Sequence, residues 1–302
     1  MAKTLGEMMG EVMKLANRTD TEKETVVKQA INRRYKQILR RYAWPELVGE
    51  TTVTVSSEVV GLPANVDKIL RLYDRANDRV ILPLPDTDLT ERFINTIGSG
   101  TGVSCYYSRL GTRGVHTQPS AAARLTATSD LAGDNLVYKY RIKGYKDGLM
   151  FEDETFVGGS TANLYDEVVS FSKESGTGGT VTLVSVESTP VTMGAIAPKE
   201  CVSRYPIIRL HPIPTSETVL NMVFSIMVDD LEIDNDSTIL PCEDILVVGA
   251  FSDLLKNLRQ FAQAGVEEGR FQELLEDFTK DRINEDNSFM FMPDMNVRTG
   301  RV

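Results

Sequence analysis

The stretch from Pro206 to about Asn287 constrains the fold most. It opens with two apolar, alternating segments, Tyr205 to Leu210 and Thr218 to Met227, joined by His211-Pro-Ile-Pro-Thr-Ser. Two prolines in that connection predict a rigid turn between strands, with His211 at its surface. An acid-rich loop follows from Asp229 to Asp236, then two helices, Glu243 to about Ala262 and Gly265 to about Glu285. On the first helix Ile245, Val248, Ser252, Leu255, Leu258 and Ala262 share a face, widened by Phe251, Leu254 and Phe261. On the second, Phe271, Leu274, Leu275 and Phe278 recur at i, i+3, i+4 and i+7. Such an αα-hairpin has one apolar side that must be covered.

The cover is at the other end of the chain. Thr4 to Ala16 places Leu5, Met8, Met9, Val12 and Leu15 at helical spacing. Thr19-Asp-Thr-Glu22 has the capping-box pattern for a second helix, striped by Val27, Ile31, Tyr35, Ile38 and Tyr42 and stopped at Trp44-Pro45. The two ends therefore meet in a helical bundle, residues 1–50 with 240–287, and the β material between them is inserted.

That β material has two textures. Thr51 to Val55, Lys68 to Tyr73 and Arg79 to Leu84 read as strands, and with 203–239 they form a β layer over 51–118. From Pro119 to about Pro198 short strands recur: Ala123–Thr128, Asn135–Lys143, Leu149–Val157, Val168–Lys173 and Thr180–Val186. Turns such as Ala132-Gly-Asp and Gly176-Thr-Gly-Gly separate them. This spacing suggests an inserted β-sandwich over 119–202, immunoglobulin-like in architecture. The fold class expected is α+β, with 288–302 as an extended tail.

The net charge of −10 is unevenly placed. Residues 229–302 hold 17 acidic and seven basic side chains, so the rest of the chain is near neutral. Lys28, Arg33, Arg34, Lys36, Arg40 and Arg41, in contrast, fall in a stretch without acid. Such a face is either solvated or meets a partner. No DNA-reading element accompanies it, which favours protein over nucleic acid.

No catalytic or metal motif emerges. Two histidines, His116 and His211, argue against a histidine metal site or triad, and three scattered cysteines, Cys105, Cys201 and Cys242, against a disulfide framework. Gly98-Ser-Gly-Thr-Gly102 lacks the Gly-Lys-Ser/Thr ending of a phosphate loop and leads into a strand instead of a helix. The acid loop fails the twelve-residue calcium pattern. Counted from Asp230, the sixth and twelfth positions are Asn235 and Pro241; counted from Glu232, the sixth is Ser237. Its carboxylates are expected near a helix N-terminus. No apolar run is long enough for a membrane helix, and the first residues do not resemble a signal peptide. No enzyme activity and no cofactor are expected.

An ordered series of short pieces carries a family resemblance. Pro206-Ile-Ile-Arg-Leu-His-Pro-Ile-Pro, the loop with Leu231 and Asp234 to Asp236, Ile239-Leu-Pro241, and a helix containing Gly249-Ala250 resemble the head-to-tail adaptor (head completion) proteins of tailed bacteriophages. Tyr42-Ala-Trp44 and Gly61-Leu-Pro-Ala-Asn-Val-Asp-Lys-Ile69 are similar too. The likeness covers residues 1–115 and 203–285. It implies a structural protein of the virion neck, a dodecameric ring between portal protein and tail protein (nozzle or tube), with genomic DNA passing through. It also implies that a C-terminal segment grips the portal. Phe289, Met290, Phe291, Met292 and Met295, with Arg298 and Arg301, are the residues expected to do so. In a ring, Lys28, Arg33, Arg34, Lys36, Arg40 and Arg41 would face Asp229, Asp230, Asp234 and Asp236 of the next copy. The alternative is another tail component, a tube or receptor-binding protein, whose sandwich stacks host carbohydrate on Tyr138, Tyr140, Tyr145 and Tyr165.

Overall fold

The computed structural model describes residues 3–285 apart from 98, 147, 149, 188 and 189. Its helices are α1 (Leu5–Leu15), α2 (Thr21–Arg41), α3 (Asp86–Arg92), α4 (Glu243–Asn257) and α5 (Phe261–Glu285). The chain divides into a helical unit, residues 1–47 with 228–302, and a β unit, residues 48–227.

In the helical unit α1, α2, α4 and α5 share one core. Leu5, Met8 and Val12 of α1, Ile31, Tyr35 and Ile38 of α2, Leu246 and Leu254 of α4, and Phe271 and Leu275 of α5 are all buried in it. The stripes read from the sequence thus cover one another, and the two chain ends meet. Trp44 closes the end of α2: its indole Nε1 donates to the Ile38 carbonyl at 3.0 Å, and its ring lies 5.2 Å from that of Phe278. The acid loop belongs to this unit, not to the β layer.

Helix ends depart from the expected punctuation. The capping box forms at α1, where Glu7 N donates to Thr4 Oγ1 at 3.4 Å and Thr4 N to Glu7 Oε2 at 2.9 Å. At α2 the N-cap is Asp20, and its side chain makes no cap hydrogen bond. The break between α4 and α5 lies at Leu258–Gln260, so Gly265 falls inside α5. Arg259 takes the left-handed position, with φ 60°. Arg259 N donates to the Lys256 carbonyl and Gln260 N to the Leu255 carbonyl, the paired bonds of a Schellman motif. The same motif ends α1, with Asn17 at φ 52°. A non-glycine residue in this place leaves no glycine to read.

The β unit contains strands β1 (Val48–Val55), β2 (Val59–Gly61), β3 (Val66–Asp74), β4 (Arg79–Pro83), β5 (Tyr106–Arg113), β6 (Arg124–Ser129), β7 (Lys139–Lys146), β8 (Met150–Val157), β9 (Gly159–Ser160), β10 (Glu167–Lys173), β11 (Val181–Val186), β12 (Val191–Ile196), β13 (Tyr205–His211) and β14 (Thr218–Ile226). One sheet runs β1-β14-β3-β4-β5-β13-β2. Its two outer strands are joined by Ser56–Glu58 alone. Four Cα steps span at most about 14 Å, whereas six strand spacings in a flat sheet would need about 29 Å. The sheet therefore curls back on itself, round a core that includes Val55, Leu62, Leu72, Ile81, Leu210 and Met222.

Two further sheets, β10-β7-β8 and β12-β11-β6-β9, enclose the core of Leu125, Ile142, Phe171 and Leu183. This is the expected sandwich. Its strand order is not the immunoglobulin one, which sends the second and third strands to opposite sheets. Here β7 and β8, second and third in the sandwich, pair side by side in one sheet.

Candidate assembly surfaces

α2 organises the helical unit by holding different partners on opposite sides. On one side it carries the acid loop. Lys28 Nζ donates to the Glu232 carbonyl at 2.5 Å, and Lys36 Nζ lies 2.7 Å from Asp230 Oδ1. The Asn32 side chain exchanges two bonds with the Leu231 backbone, and Ile239 N donates to the Tyr35 hydroxyl. The loop in turn caps α1: Leu5 N donates to the Asp236 carbonyl at 2.7 Å and Gly6 N to the Asp234 carbonyl at 3.0 Å. These are donors that a helix leaves unmet at its start. The Asp236 carboxylate turns inward and accepts from Glu232 N and Ile233 N. Among the described residues, no three His, Cys, Asp or Glu side chains converge as a metal site would need.

On the other side α2 carries α4 and α5 through a buried charge cluster. Arg34, 6% exposed, forks onto Asp253 at 2.8 and 2.7 Å and onto Glu268 at 2.9 and 2.5 Å. Its guanidinium also lies over the Phe271 ring, 4.6 Å from the centroid. Arg33 reaches Asp253 at 2.5 Å, Lys256 reaches Glu268 at 2.7 Å, and Ser252 Oγ donates to Glu268 at 3.2 Å. Hydrogen bonds from Arg34 hold the Glu268 carboxyl at about 2, against the opposing effect of burial. Burial alone would raise Asp253, but the bonds from Arg34 and Arg33 outweigh it and lower its pKa. Burial likewise opposes the charge on Arg34, and the two carboxylates overcome it.

The basic face and the acidic C-terminal region do meet, then, but largely inside one chain. Arg34 is buried here and cannot face a neighbouring copy as expected. Arg33 and Arg41 lean on Asp253 and Glu276, and Lys28 and Lys36 hold the acid loop. Arg40, Asp229 and Asp234 are exposed and make no ion pair among the described residues. Sequence reasoning missed Asp253 and Glu268. The signal available was polar residues on an otherwise apolar α4, Ser252-Asp253 between Phe251 and Leu254.

Other expectations shift. His211 is not a surface turn residue: it ends β13, 3% exposed, with its ring 4.2 Å from that of Phe93. Burial lowers its pKa. Of the sandwich tyrosines, Tyr140 and Tyr165 are fully buried, and Tyr138 packs partly against the same core. Tyr145 alone is exposed, edge-on to Phe151 at 5.5 Å. Phe289, Met290, Phe291, Met292, Met295, Arg298 and Arg301 lie outside the described residues.

Residues 3–145 match the SU10 adaptor protein family. The resemblance to head-to-tail adaptors is borne out over that stretch, which runs from α1 through the first strands of the sandwich. That stretch of the chain is similar to the SU10 adaptor family. No curated protein matches it. Among the described residues no helix is long and apolar enough to cross a membrane.

Proposed function

We propose that the chain is a head-to-tail adaptor that forms a ring, dodecameric as its family implies, between the portal protein and the tail. The adaptor-family match over residues 3–145 carries this reading. The helical unit supports it: a buried charge lock fixes α2, α4 and α5 before assembly, so the subunit meets its partners with little ordering left to lose. Genomic DNA passes through the ring unread. Phosphate contacts dominate DNA affinity, and a chain of net charge −10 is suited to letting DNA slide.

The C-terminal segment with Phe289, Met290, Phe291, Met292 and Met295 grips the portal, Arg298 and Arg301 assisting; Met and aromatic side chains suit adaptable contact surfaces. Deleting residues 288–302 from the full chain is expected to abolish co-purification with portal protein while leaving the melting transition in place. Undiminished co-purification would remove the tail from the interface. Carbohydrate binding by the sandwich is the weaker reading, because Tyr140 and Tyr165 are core residues.

A further inference from the structure

Two exposed patches of the helical unit are complementary in charge and in apolar content. The first is on the acid loop, where Ile233 and Ile239 are 49% and 48% exposed. They are flanked by Asp229 and Asp234, exposed carboxylates without ion pairs among the described residues. The second is the start of α5, where Phe261 and Val266 are 67% and 70% exposed. It is bordered by Arg259 and Arg270, both exposed. Among the described residues Arg270 has a loose partner, Glu267 at 3.8 Å. Each patch therefore offers two large apolar side chains, the first beside exposed carboxylates and the second beside exposed guanidinium groups.

They also lie on opposite sides of α2. Lys28, Asn32, Tyr35 and Lys36 hold the acid loop; Arg33, Arg34, Gln37 and Arg41 hold α4 and α5. At about 100° per residue the two sets are centred roughly 170° apart round the helix. Val266 and Arg270 point away from the core-facing row of Ala264, Phe271 and Leu275 on α5. Complementary patches on opposite sides of one unit cannot join face to face in a two-fold pair. They join head to tail, which generates a ring when the rotation closes.

A second feature marks α5 as a place of close approach. Gly265 and Gly269 sit in the helix interior, where glycine costs about 1 kcal/mol relative to alanine. Among the described residues a Cβ on either would meet nothing within 4 Å, so the packing of those residues does not require them. They flatten the surface beside Val266 for another backbone.

We propose that the Phe261–Val266 face of α5 on one copy receives the Ile233–Ile239 face of the acid loop on the next, and that this is a subunit contact of the ring. The inference rests on the ring reading and assigns its surfaces. Opposite charge at the borders sets register and makes the contact salt-sensitive.

The test is disulfide trapping in the full chain, alone and assembled with portal protein. The double variant Ile233→Cys/Val266→Cys is expected to give, on mild oxidation, a ladder of covalently linked copies, with neither single variant exceeding the wild-type background. An assembling chain without a ladder overturns the two surfaces and leaves the ring reading standing. A wild-type chain that never assembles, alone or on portal protein, overturns both. A second variant separates packing from folding. Gly265→Ala is expected to raise the subunit's melting midpoint by about 2–4 °C while weakening assembly about tenfold. Unchanged assembly of this variant would also overturn the contact.

Discussion

Arg34 donates two parallel hydrogen bonds to Asp253, Nε to Oδ2 at 2.8 Å and Nη2 to Oδ1 at 2.7 Å, with both side chains under a tenth exposed. The same guanidinium forks onto Glu268, so one side chain of α2 joins α4 to α5. Removing one member of a buried ion pair leaves the other desolvated and uncompensated. Arg34→Met is expected to destabilise the chain by about 3 kcal/mol, read by urea unfolding followed through Trp44. A loss below about 1 kcal/mol would mean that Arg33 and Lys256 neutralise the carboxylates unaided.

Acid should undo this lock in a defined window. Glu268 titrates at about 2 in the folded chain, against an ordinary value of 4.5. A carboxyl with a depressed folded value contributes its stability in full above the ordinary value and loses it as pH falls through the folded one. The stability gap between the wild type and Glu268→Gln should therefore be constant at neutral pH and close between about 4.5 and about 2. Equal acid dependence in the two proteins would contradict the assignment.

The α4–α5 turn carries strain that can be relieved. Arg259 holds φ 60°, a conformation that disfavours a Cβ. Its side chain is exposed and unpaired among the described residues, so Arg259→Gly should raise subunit stability by about 1 kcal/mol. The readout is the urea midpoint at unchanged m-value, and a lower midpoint would refute the strain.

Gly249 is a packing requirement of α4. A Cβ there would lie 2.7 Å from Phe271 Cδ2 and 3.2 Å from Arg34 Cγ. Overpacking of this kind costs about 1–3 kcal/mol, more than the gain in helix propensity, about 1 kcal/mol. Gly249→Ala is expected to lower stability, with faster amide exchange concentrated in α4 and α5. Stability at or above wild type would show that Phe271 can move aside freely.

How much of this was legible varies with the kind of signal. The apolar stripes of α1, α2, α4 and α5 gave the helices and the meeting of the chain ends, because burial demands a one-sided pattern whatever the neighbour. Alternation gave most strands of the three sheets. The α4–α5 boundary was misplaced at Gly265, because Arg259 fills the left-handed position where glycine is the usual marker. Thr19-Asp-Thr-Glu22 matches a capping box as well as Thr4-Leu-Gly-Glu7 does, yet only the latter forms one. Four-residue patterns do not fix where a helix starts.

The sequence by itself determined the helical ends, the strand-rich middle and the separation of charge into a basic α2 and an acidic C-terminal region. Those are properties of local periodicity and composition. Only the tertiary structure decided that Arg34 reaches Asp253 and Glu268 inside its own chain, and that β1 and β2 become the two edges of one curled sheet. Which charge meets which depends on the rotation of α2 between the acid loop and α5. That rotation is set by core packing across more than 200 residues of separation, as the 219 and 234 positions between Arg34 and its two carboxylates show.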